Sequence, residues 1–89
     1  MLSITDLLDF IDLDRETVQV VNRATQLPDE EAAAIAAELL RTHRGIYLLH
    51  EMFKDQIAEA AAARQIVQER SLRKAYAYFS RKYPIPHML

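Results

Sequence analysis

Three observations predict that this 89-residue chain is all-α, a compact bundle of four to five helices. One glycine and three prolines leave few places for turns. Thirteen alanines favour helix and let helix backbones approach closely. Apolar residues recur at three- and four-residue spacing along most of the chain. Eighty-nine residues suit one domain, expected as a helical unit over 1–83 with an extended tail over 84–89.

The first helix is expected over about 4–10. Ser3 and Asp6 approximate a capping box, and Ile4, Leu7, Leu8 and Ile11 share one face. A second helix over 15–24 starts at Asp12 or Asp14, with Leu13, Val18 and Val21 inward. Its β-branched residues disfavour helix, but no other segment offers a strand partner. Pro28 and then Asp29, Glu30 and Glu31 open a third helix, reaching about Arg41 with Ile35 and Leu39 inward.

Thr42-His43-Arg44-Gly45 is the clearest interruption: either Thr42 caps a new helix or Gly45 ends the old one. The helix that follows, about 46–63, is expected at the centre of the bundle, with a stripe of Ile46, Leu49, Phe53, Ile57 and Ala60. Glu51, Asp55 and Glu59 make an acidic edge beside it. Beyond it the stripe resumes as Leu72, Ala75, Tyr76, Phe79 and Tyr83, about one residue out of phase. That slip favours a turn near 64–68 over one helix of roughly 40 residues and about 60 Å. Pro84 and Pro86 stop the last helix.

Charge is divided unevenly along the chain. Residues 1–63 carry five basic side chains against twelve acidic ones, a net of −7. Residues 64–89 carry six basic side chains against Glu69 alone, a net of +5. The total of −2 conceals an acidic body with a basic end.

Several chemistries find no support. There is no cysteine, so disulfides and thiolate metal sites are excluded. One glycine cannot build a nucleophile elbow or a Gly-rich phosphate loop. His50-Glu51 begins a zinc-protease motif, but Lys54 stands where its second histidine belongs. Neither His43 nor His50 has a ligand-like partner three or four residues away. No enzyme activity, metal or cofactor is expected. A helix-turn-helix over 31–52 is disfavoured because Ile46-Tyr47-Leu48-Leu49 is too apolar for a groove. No window is apolar enough to span a bilayer, and the early aspartates do not read as a secretory signal. The expected location is the cytoplasm.

What remains is an interaction surface. Tyr47, Leu48 and Met52 lie off the apolar stripe of their helix, and Arg70, Arg73, Lys74, Arg81 and Lys82 decorate the last one. These eight residues are the candidate partner-binding set of a small non-catalytic adaptor or accessory subunit. The partner is another protein or a second copy, with homodimerisation through acidic body and basic end as one version. The alternative is nucleic acid bound by the basic helix over 64–83, whose cations and rings suit phosphate and bases. The net acidic total weighs against it.

Overall fold

The computed structural model describes residues 13–86. Four helices follow in order: α1 (Arg15–Thr25), α2 (Asp29–Leu39), α3 (His43–Ala62) and α4 (Ile66–Lys82). No strand occurs among the described residues. The helix expected over 4–10, its Ser3 cap, and the tail residues Met88 and Leu89 lie outside them. Pro84, Ile85 and Pro86 carry no regular secondary structure.

Each helix buries one face in a shared core. In α1 that face is broader than Val18 and Val21: Thr17 and Val20 are buried too. Four β-branched residues cost about 0.5 kcal/mol each in helix propensity. Burying a valine returns about 1.5 kcal/mol or more, so packing decides. In α2, Ala32, Ala33 and Ala36 are fully buried, and side chains this small bring that helix close to its neighbours. The core of α3 is Leu49, Phe53, Ile57 and Ala60, and that of α4 is Leu72 and Phe79. Both α1 and α3 touch each of the other three helices, whereas α2 and α4 barely meet. The two therefore flank the α1–α3 pair on opposite sides.

Helix boundaries depart from expectation in three places. Asp14 occupies the position before α1 but makes no side-chain capping bond. Its carboxylate instead accepts from Lys82 Nζ at 3.2 Å, joining the start of α1 to the end of α4. The second departure is the end of α2, at Leu39 rather than Arg41. Third, the helix expected over 46–63 begins at His43, because Thr42 Oγ1 accepts from the Gly45 N–H at 2.9 Å. Of the two roles weighed for this turn, Thr42 therefore caps, and Gly45 is buried inside the first turn of α3.

The predicted phase slip is a turn at Ala63–Gln65. Gln65 N–H donates to the Ala60 carbonyl at 2.9 Å, and Arg64 N–H to that of Ala61 at 3.1 Å. Arg64 takes φ 56°, so the helix ends in a Schellman motif with arginine where glycine is usual. A left-handed conformation costs a non-glycine residue about 1–2 kcal/mol. Glycine loses more backbone entropy on folding, which offsets part of that gain. Arg64→Gly is therefore expected to stabilise the fold by about 0.5–1 kcal/mol, read as a higher urea midpoint. A lower midpoint would mean that the Arg64 side chain contributes more than its backbone costs.

Candidate functional site

The eight candidate residues do not form one surface. At 100° per residue, Tyr47 and Leu48 point about 100° apart on α3, and Tyr47 and Met52 about 140° apart. Tyr47 and Leu48 are exposed, while Met52 is half-buried against the core. Met52 also lines an open groove of about 760 Å³ with Arg23, Asp55, Gln56, Glu59 and Gln68. Tyr47 instead sits one turn before Glu51, whose carboxylate raises the phenol above its ordinary pKa. Tyr47, Leu48 and Met52 are thus divided between two sides of the helix.

The basic residues of α4 separate by what they touch. Arg73 Nε donates to Glu69 at 2.8 Å. Lys82 is held by Asp14 and lies 5.4 Å from the centre of the Tyr78 ring. Among the described residues, Arg70, Lys74 and Arg81 form no ion pair, and all three are exposed. With Val67 and Tyr78 they fall within an arc of about 80°. That arc lies on the side of α4 away from Leu72 and Phe79. Val67 is 83% exposed and Tyr78 50% exposed. The outer face of α4 is therefore a cationic stripe carrying two apolar side chains, with Glu69 turned aside toward Arg73.

What keeps this stripe outward is the packing of the inner face of α4 on α3, where the central residue is His50. It is 1% exposed, with its ring edge-on to Tyr76 and Phe79 at centroid distances of 5.4 and 5.0 Å. Its Nε2 lies 2.6 Å from the Tyr83 carbonyl, and Nδ1 lies 2.9 Å from the Tyr76 hydroxyl. A carbonyl only accepts, so Nε2 carries the proton; Nδ1 of the neutral ring then accepts from Tyr76. One side chain of α3 thereby fastens both the middle and the end of α4. Sequence reasoning considered His50 only as a metal ligand. Its place one residue after Leu49 and three before Phe53 puts it on the buried stripe, a signal that was legible.

Burial pushes the His50 pKa below its ordinary value, with Lys54 adding to the effect; the Tyr83 carbonyl and Glu51 oppose it. The unfolded chain, titrating near 6.5, then binds more protons than the folded one below that pH. Stability from this group is complete above about 6.5 and is lost as pH falls through the depressed folded value. The urea midpoint is expected to decline below pH 6.5 in the wild type. In His50→Gln, which has no proton to gain, that component of the slope should vanish. An unchanged slope would assign it to other groups.

Gln56 ties α3 to α1: its Nε2 donates to the Val20 carbonyl at 2.7 Å. The described residues contain no cluster of three or more His, Asp or Glu side chains arranged to hold a metal. No described helix is long and apolar enough to cross a membrane. No known protein family, curated protein or solved structure matches this chain.

Proposed function

We propose that this protein is a small non-catalytic interaction module, an adaptor or accessory subunit, whose docking surface is the outer face of α4. The observation that carries the reading is that Arg70, Lys74 and Arg81, which form no ion pair among the described residues, share one stripe with exposed Val67 and Tyr78. Three exposed cations select a partner of opposite charge, and the two apolar side chains supply area to bury against it. Arg73 and Lys82 already hold carboxylates of this chain and contribute less. Leu48 and Met52 form a separate, weaker candidate surface, because Met52 is committed to the core.

The test is capture from nuclease-treated lysate by the full chain and by the double variant Lys74→Glu, Arg81→Glu. A protein retained in near-stoichiometric amount by the wild type and lost with the variant supports the reading. Retention that ignores the variant removes α4 from the interface. Nucleic acid that co-purifies when nuclease is omitted, and is lost with the variant, would favour the alternative. There Tyr78 would stack on a base between the two cations.

A further inference from the structure

The basic stripe of α4 has a counterpart on the far side of the same molecule. On α2, the buried face is Ala32, Ala33 and Ala36. Glu30, Glu31, Ala34 and Glu38 are exposed on the side away from it. Among the described residues Glu38 pairs with Arg41, in an ion pair whose side chains are both 74% exposed, an arrangement of little strength. Since α2 and α4 flank the α1–α3 pair, one flank of the molecule presents carboxylates and the other cations.

The two faces also match in spacing. Glu31 and Glu38 are seven residues apart, as are Lys74 and Arg81, so both pairs span about 10.5 Å of helix axis. Laid antiparallel, Lys74 falls opposite Glu38 and Arg81 opposite Glu31. In the same register Tyr78 falls opposite Ala34. The half-exposed ring then sits over Ala34, the exposed alanine between the two carboxylates. Charge, bulk and spacing agree in one alignment.

From this we infer that the α4 face of one copy docks antiparallel on the α2 face of a second copy. The inference rests on the proposed role of the α4 stripe and names its occupant. Because the two faces lie on opposite flanks, the contact is head-to-tail rather than two-fold, and each added copy leaves a fresh face at either end. Assembly therefore grows past the dimer, as a chain or a closed ring, and is held mainly by ion pairs, which screening by salt weakens.

Sedimentation velocity of the purified full chain tests this across a wide concentration range, at about 20 mM and about 500 mM salt. Species growing past the dimer with concentration are expected at low salt and monomer at high salt. Lys74→Glu with Arg81→Glu, and separately Glu31→Lys with Glu38→Lys, should each weaken association at least about tenfold. All four positions are exposed, and circular dichroism is the check that each variant is folded. Mixing the two variants restores complementary faces and should restore association. A wild type that stays monomeric at low salt, an assembly that stops at a dimer, or a mixture that fails to recover would each overturn the inference. If self-association fails while lysate capture still depends on Lys74 and Arg81, the α4 surface stands and only its occupant is wrong.

Discussion

Gly45→Ala is expected to destabilise the fold by about 3 kcal/mol or more, the largest effect of any single methyl group in this chain. A Cβ at position 45 would lie 1.9 Å from the Leu39 carbonyl oxygen and 2.6 Å from the Leu39 Cα. Both are backbone atoms, so no side-chain rotation relieves the clash. The end of α2 and the start of α3 must separate, and the Thr42 cap on Gly45 N–H is strained with them. Alanine would gain about 1 kcal/mol of helix propensity at this position, too little to compensate. Thermal and urea denaturation read the result directly. A variant as stable as the wild type would show that the two helices can part at no cost.

Phe53→Ala should cost about 3–5 kcal/mol. The ring is fully buried, with centroids 5.4 Å from Tyr76 and 5.1 Å from Phe79, and it belongs to the cluster that joins α3 to α4. Removing it leaves a cavity and two rings without their neighbour. In a domain of this size, where each kcal/mol shifts the melting temperature by about 4–8 °C, the variant should be largely unfolded at physiological temperature. Val67→Ala provides the contrast: the side chain is 83% exposed, and its loss should stay within about 0.5 kcal/mol.

Helix type and approximate extent were legible because the apolar stripes are long and the breakers few. Leu49, Phe53, Ile57 and Ala60 repeat on one face, and all four are buried. The turn before α4 was legible as a phase slip, although no residue there is a helix breaker. The boundary at Thr42 was legible only as two alternatives. A capping threonine and a helix-ending glycine three residues apart satisfy the same local rules, and the approach of Leu39 decides between them. Tyr47, Leu48 and Met52 all lie off the main stripe, and Tyr47 points to a different side of α3 from the other two. Being off the main stripe says that a residue points elsewhere, not that three such residues point to one place.

The sequence by itself determined the all-helical class, most helix boundaries to within a few residues, and the division of charge between body and end. Each depends on order and spacing within one segment. Tertiary structure alone decided which cations pair among the described residues. Asp14 and Lys82 are 68 residues apart and meet because α1 begins where α4 ends. It also decided that His50 holds α4 in place, through partners 26 and 33 residues away. Finally, it set α2 and α4 on opposite flanks, which turns a charge asymmetry along the chain into two opposed faces. Pairings of this kind depend on how helices pack, and local spacing carries no information about them.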